Sequence, residues 1–223
     1  MTLYLSRLRL SKTPSARALS GLLSPSEAGP RGSAHHQLLW SAFSDGPDRR
    51  RDFLWRENRE GEFLTLSERP PLPTDLFEPH STKEFAPVLA AGSRLDFALR
   101  ANATRTKRGG QRVDVVMDAL YQLPRGQRAP ARMAVAAREG RAWLERQGVK
   151  AGFAVIAAGA EDYATNVLPG YRGPGKGQPQ FGILDLSGQI EIVDPVAFLA
   201  QLGKGFGRAK AFGCGLMMIR RAA

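Results

Sequence analysis

The sequence predicts an α+β protein with two ferredoxin-like βαββαβ units in tandem. Three observations predict it. Short apolar segments of strand length alternate with longer segments of helical period along the chain. Their order runs β, α, β, β, loop or helix, β before residue 111, and a similar order returns after it. The length of 223 residues suffices for one large core or two small domains. We therefore expect an N-terminal domain over 1–111 and a C-terminal domain over 112–223. The duplication is one of architecture, since no sequence repeat is visible.

Each element has its own signal. Leu3 to Leu10 carries leucines at 3, 5, 8 and 10, a strand whose alternation slips once; a bulge or burial on two faces would explain it. Residues 11–34 are rich in Ser, Pro, Gly and Ala and read as a loop with a short helix around Ala16–Leu23. His35 to Phe43 reads as a helix, with Leu39 and Phe43 at i, i+4 spacing, so His36 is expected near its start. Phe53-Leu54-Trp55 and Glu62–Ser67 are strands around a turn at Asn58–Gly61, and 68–80 is a proline-rich loop. Leu95–Asn102 alternates as a strand and runs into the basic tip Thr104–Lys107-Arg108 before Gly109-Gly110. After an apolar segment at 113–121 and a loop at 122–130, Met133, Ala137, Trp143 and Leu144 mark one face of a helix at 132–148. Phe153–Ala157 is a strand. Phe181–Leu186 and Gln189–Val193 flank Ser187-Gly188, which reads as a hairpin turn. Helix 195–202 and strand 216–220 close the second unit.

The helix-to-strand connection Gly203-Lys204-Gly205-Phe206-Gly207-Arg208-Ala209-Lys210-Ala211-Phe212-Gly213-Cys214-Gly215 mixes five short Gly-X steps with three cations. Glycine lets a backbone approach a ligand closely, and cations beside backbone N–H groups suit phosphate. A dinucleotide fingerprint would follow a strand and open a helix; this loop does the opposite, and Lys210 stands at the third glycine. A second loop, Gly170 to Gly177, nearly spells a P-loop, but Gly177 replaces the Mg²⁺-binding Ser/Thr and Pro179 follows. Both nucleotide readings are discarded; the bland alternative is two flexible surface loops.

Lys and Arg number 32 against 21 Asp and Glu, a net charge of +11. Such a surplus points to a polyanion, nucleic acid before a membrane surface. No run approaches the roughly 18 apolar residues of a spanning helix, and Arg7 and Arg9 interrupt the N-terminal leucines that a secretory signal would need. A cytoplasmic protein is expected. One cysteine excludes an internal disulfide, and with three histidines makes zinc improbable. No Asp/Glu cluster or Ser-His-Asp spacing stands out; no metal and no cofactor is expected. His36 is a proton-transfer candidate for RNA transesterification, against the plain reading of a surface histidine. Arg100 and Asn102 share one face of a strand end, with Arg105, Lys107 and Arg108 beyond; charge runs of this kind are often only solvated tips.

These pieces together resemble the CasE family, the precursor-CRISPR-RNA endoribonucleases of type I-E Cascade. The stretches that carry the resemblance are the N-terminal strand followed by His36-Gln37-Leu38-Leu39-Trp40; Asp48 through Leu54; Leu99-Arg100-Ala101-Asn102; and Gly205 through Leu216, which ends in Gly-Cys-Gly-Leu. The resemblance implies two RRM-like, ferredoxin-like domains of the RAMP superfamily. It implies metal-independent cleavage at the 3′ base of a CRISPR repeat hairpin, leaving a 2′,3′-cyclic phosphate and a 5′-hydroxyl. The family's histidine falls on His36, and Ser33 stands where some members carry a tyrosine. Lys204, Gly205, Gly207, Arg208 and Lys210 would hold phosphates near the cut. Arg100, Asn102, Arg105, Lys107, Arg108, Arg138 and Arg141 would grip the A-form stem, mostly by shape and backbone. Expected partners are the repeat hairpin and the other Cascade subunits, with the free protein a monomer and no membrane involved. The alternative is a non-catalytic RNA-hairpin-binding module of a ribonucleoprotein. Only Phe97 offers a base-stacking surface on strand 95–102, which favours duplex over single-strand recognition.

Overall fold

A computed structural model of the chain describes residues 2–46, 48–168 and 179–222. By internal contacts it divides into two units. The first comprises Met1–Pro87, Val167–Pro179 and Lys210–Gly213; the second comprises Val88–Asn166, Gln180–Ala209 and Cys214–Ala223.

The first unit begins with β1 (Tyr4–Arg9), the short helices α1 (Pro14–Ala18) and α2 (Ser20–Leu23), and the long α3 (Ala28–Phe43). Strands β2 (Phe53–Arg59), β3 (Glu62–Ser67) and β4 (Ser81–Glu84) follow. The sheet order is β2-β3-β1-β4, with β1 antiparallel to both neighbours. That is the ferredoxin-like order, with the second crossover helix replaced by the proline-rich segment 68–80. The slip in β1's leucines is not a bulge in its pairing with β3, because the register runs unbroken from Tyr4↔Ser67 to Arg9↔Glu62. Ser6 and Leu8 turn inward, while Leu5 is half-buried on the opposite face. Leu38, Leu39, Ala42 and Phe43 of α3 pack on Leu8, Phe53, Trp55 and Phe63. Phe43 stacks on Phe53 with ring centroids 4.3 Å apart. This apolar seam fixes which way α3 presents its other face.

The second unit is a complete βαββαβ fold. It contains β5 (Arg94–Ala101), a small hairpin of β6 (Thr104–Thr106) and β7 (Arg112–Asp114), then α4 (Val115–Tyr121) and α5 (Arg125–Ala151). Next come β8 (Phe153–Val167), β9 (Gln180–Ile192), α6 (Pro195–Lys204) and β10 (Met217–Arg221). The sheet order is β10-β5-β9-β8. Asp114 starts α4 by accepting from the N–H groups of Val116 and Met117, and Asp194 starts α6 likewise at Val196 and Ala197.

Several sequence expectations are corrected. The contact boundary lies at Pro87/Val88, not near 111, because β5 pairs with β9 and β10 and so opens the second unit. The true last strand of the first unit, β4, is Ser-Thr-Lys-Glu with all four residues exposed, and it carries no apolar signal. Helix α5 starts at Arg125, within the expected loop 122–130; Pro130 sits in its second turn and forfeits one backbone bond there. Ser187-Gly188 is not a turn but the middle of β9. Gly188 has φ +151°, and a Cβ there would lie 2.1 Å from the Ala157 carbonyl oxygen. The glycine serves close strand approach rather than chain reversal. Among the described residues no helix is long and apolar enough to cross a membrane.

Candidate active site

His36 is the ninth of the sixteen residues of α3, not a helix-start residue. The helix begins at Ala28, about two turns earlier than its sequence shows. Ala28-Gly29-Pro30-Arg31-Gly32 reads as a loop, yet Pro30 falls in the first turn, where its missing N–H would be unpaired anyway. Burial of the Leu38, Leu39 and Phe43 stripe outweighs the weak helix propensity of the glycines. The positive end of the helix dipole is therefore not what acts on His36.

What acts on it is local. The Trp40 indole, one turn on, donates from Nε1 to His36 Nε2 at 3.0 Å. The rings meet edge-on with centroids 6.1 Å apart. The His36 pKa is lowered, first by burial and then by the charge of Arg51. Its imidazole is accordingly neutral at pH 7. Arg51 lies just before β2 and has no carboxylate partner among the described residues. The turn Lys210–Phe212 packs against α3 and β2. Lys210 there is half-buried, and its pKa is lowered by burial and again by Arg51. A neutral imidazole, a guanidinium and an ammonium group thus belong to one electrostatic neighbourhood of the first unit. Such a neighbourhood favours an anion. Ser33 stands one turn before His36 on α3, at i−3, and is half-buried.

The neighbouring His35 has a different role. It is 1% exposed, packs edge-on against Phe63 at 4.8 Å and Trp55 at 6.2 Å, and its Nε2 is 3.4 Å from Ser24 Oγ. It is a core residue. Arg51 entered the sequence reading only within the Asp48–Leu54 stretch of the resemblance, with no role of its own. Its companion Arg49 is spent on Asp52 and Asp45, and no spacing rule separates the two.

The remaining expected RNA-binding residues lie in the second unit. Arg100 is forked onto Asp185, its cross-strand partner, with Nε–Oδ1 2.9 Å and Nη2–Oδ2 2.7 Å. Asn102 is 6% exposed and donates to the Gly182 carbonyl at 2.8 Å. Both side chains are engaged in holding β5 and the residue after it to β9. Arg105 and Lys107 converge on Asp118, while Arg108 is exposed at the tip between β6 and β7. Arg138 pairs with Glu139 at 3.1 Å and Arg141 with Glu145 at 2.9 Å. Lys204 and Arg208 are exposed. Gly205 is buried and closes α6 by donating to Gln201. Gly207 lies over the Asn102 carbonyl. These two glycines approach the protein's own backbone rather than an open ligand surface. The Gly170–Gly177 loop lies outside the described residues. Among the described residues no three His, Cys, Asp or Glu side chains are grouped to hold a metal ion.

The family described as CRISPR associated protein matches residues 3–221. The CRISPR system Cascade subunit CasE of Escherichia coli (strain K12) is 32% identical over 191 residues, 82% of this chain and 89% of that protein. This chain belongs to the CasE family. A second CasE-type relative, the CRISPR-associated endoribonuclease Cse3 of Thermus thermophilus, is 31% identical over 146 residues, 61% of this chain and 60% of the relative. The solved structure of Thermus thermophilus Cse3 bound to an RNA representing a pre-cleavage complex superposes with a TM-score of 0.68 at 23% identity. The match covers 99% of this chain and 100% of that one, and the tandem ferredoxin-like fold of the CasE family is common to both.

Proposed function

We propose that this CasE family member is an endoribonuclease that cuts precursor CRISPR RNA at the 3′ base of the repeat hairpin and remains bound to the product within Cascade. The cut is a metal-independent transesterification. The 2′-hydroxyl at the hairpin foot attacks the adjoining phosphorus, so the O2′–P bond forms and the P–O5′ bond breaks. A 2′,3′-cyclic phosphate and a 5′-hydroxyl result. His36, neutral at pH 7, takes the 2′-hydroxyl proton; the leaving 5′-oxygen is protonated by water or by Ser33. Arg51 and Lys210 balance the extra charge on the phosphate oxygens. One imidazole makes a slow enzyme, and positioning of the hairpin supplies much of the rate. Slow turnover is tolerable where the product stays in the complex. To Lys204, Arg208, Arg105, Lys107, Arg108, Arg138 and Arg141 we assign contacts with the RNA backbone, and the work is done in the cytoplasm.

The observation that carries this reading is the half-buried, neutral His36 under the influence of Arg51, beside the Lys210 turn, in a chain of the CasE family. The test is an end-labelled repeat hairpin from the host incubated with pure protein in EDTA. Wild type, His36→Ala and a substrate with one 2′-deoxy at the hairpin foot run side by side. We expect a single cut by wild type alone, and a loss of at least about 100-fold with either change. Tight binding without any cut would leave a hairpin-binding subunit of a ribonucleoprotein. Cleavage that survives His36→Ala would move the chemistry to another residue.

A further inference from the structure

The His36–Trp40 pair carries more than a packing contact. An indole N–H has no lone pair to offer and is a donor only. At 3.0 Å from the imidazole Nε2, it must be donating into the Nε2 lone pair. The proton of the neutral ring is then on Nδ1. With the proton on Nδ1 and the lone pair of Nε2 engaged, the ring has no free basic site. Protonating Nε2 would also set two N–H donors against each other, so the bond opposes the charged form.

Trp40 is placed to sustain this. Residues four apart share a helix face, so the bond spans one turn of α3. The indole ring is itself braced edge-on against Phe53, with centroids 5.4 Å apart and planes at 81°. Arg51 and the Lys210 turn bring positive charge from the segment before β2 and from the turn packed on α3. Arg31 bears on His35, and Glu57 of β2 faces His35 with Oε2 3.7 Å from its Nδ1.

We propose that Trp40 is a positioning residue that fixes the His36 tautomer, with the proton on Nδ1, and holds the Nε2 lone pair masked in the RNA-free protein. His36 becomes a competent base only when the indole releases Nε2, so engagement of the hairpin must move Trp40 or the imidazole relative to it. A masked base in the free protein would also spare other RNAs from adventitious cutting. The inference rests on the reading of His36 as the proton-transfer group, but its test does not.

The test is ¹⁵N NMR of the histidine side chains in the RNA-free protein, with wild type, Trp40→Phe and His36→Ala compared. Wild type should show His36 protonated at Nδ1 and unprotonated at Nε2. Trp40→Phe keeps an aromatic ring against Phe53 and removes the N–H. It should return His36 toward a mixture of tautomers and raise its pKa by about half a unit to one unit. The acid limb of the second-order cleavage rate, measured with protein well below the dissociation constant so that it reports the RNA-free protein, should move up in pH by the same amount. The limb at saturating protein should stay in place, because the indole has already released Nε2; a purely structural role for Trp40 would not produce that split. If Trp40→Phe does not fold, His36→Ala reads the bond from the other side: the Trp40 indole N–H resonance should lose its hydrogen-bonded shift. A wild-type His36 protonated at Nε2 overturns the proposal. So does a tautomer and pKa unchanged in Trp40→Phe, or an indole resonance unmoved in His36→Ala. Failure of the EDTA cleavage assay would sink the enzymatic reading without touching the tautomer measurement.

Discussion

His35 and His36 are neighbours in sequence and about 100° apart around α3, and that angle separates a core residue from the half-buried one proposed to move the proton. Only their depth distinguishes them, and depth has a measurable consequence. Burial, with a contribution from Arg31, lowers the His35 pKa from its ordinary value to about 4. The folded protein holds His35 neutral between that value and 6.5, while the unfolded chain takes up a proton there. Stability from this group is therefore full above pH 6.5 and is lost as pH falls toward 4, by up to about 3 kcal/mol. Urea unfolding at pH 7.5, 5.5 and 4.5 should show that decline in wild type, and His35→Gln should flatten it. An equal decline in His35→Gln would assign the acid sensitivity to other groups. His36 was a candidate from residue type and motif alone, and its setting was not legible at all. The Gly- and Pro-containing first turn of α3 hid the helix, and Arg51 is tied to His36 by folding rather than by spacing.

At the scale of elements, helices with an apolar stripe and strands with clean alternation were read correctly, and the failures have specific physical causes. Strand β4 is a fully exposed edge and shows no periodicity. Gly188 reads as a turn because a glycine for reversal and a glycine for close strand approach look alike in sequence. The loop at 203–215 teaches the same lesson. Its glycines read as a cradle for phosphate, yet Gly207 has φ +72°, and a Cβ there would stand 2.7 Å from the Asn102 carbonyl oxygen. The Arg208 N–H donates to that same carbonyl at 3.2 Å. Gly207→Ala should thus lose about 1–2 kcal/mol from the left-handed backbone alone, and more from displacing Asn102. Thermal unfolding would show it as a lowered midpoint. Hairpin binding measured well below that midpoint should weaken as Arg208 shifts. A variant as stable as wild type would mean that the loop has room the structure denies it.

For the whole molecule, the surplus of +11 predicts a polyanion but does not say which cations meet it. The two-unit architecture was legible as a doubled pattern. Its boundary was not, because assigning β5 to a sheet requires knowing its partners, β9 and β10. Pairing sorts the cations as well. Arg138 and Arg141 already face Glu139 and Glu145, and an arginine engaged with a carboxylate must give up that bond to neutralise a phosphate. Arg108 and Arg208 are exposed, with no carboxylate partner for their side chains among the described residues. They should release more counterions on binding. Replacing either Arg108 or Arg208 by Gln should lower the slope of log K against log salt for a non-cleavable 2′-deoxy hairpin by about 0.7–0.9. Arg138→Gln and Arg141→Gln should lower it by clearly less, because an arginine already held by a carboxylate neutralises less phosphate charge in the wild-type complex and so has fewer released counterions to lose. Filter binding from about 50 to 200 mM salt resolves a change of that size. Equal slopes for all four variants would mean that the intramolecular pairs dissolve on binding and that net charge alone sets the affinity.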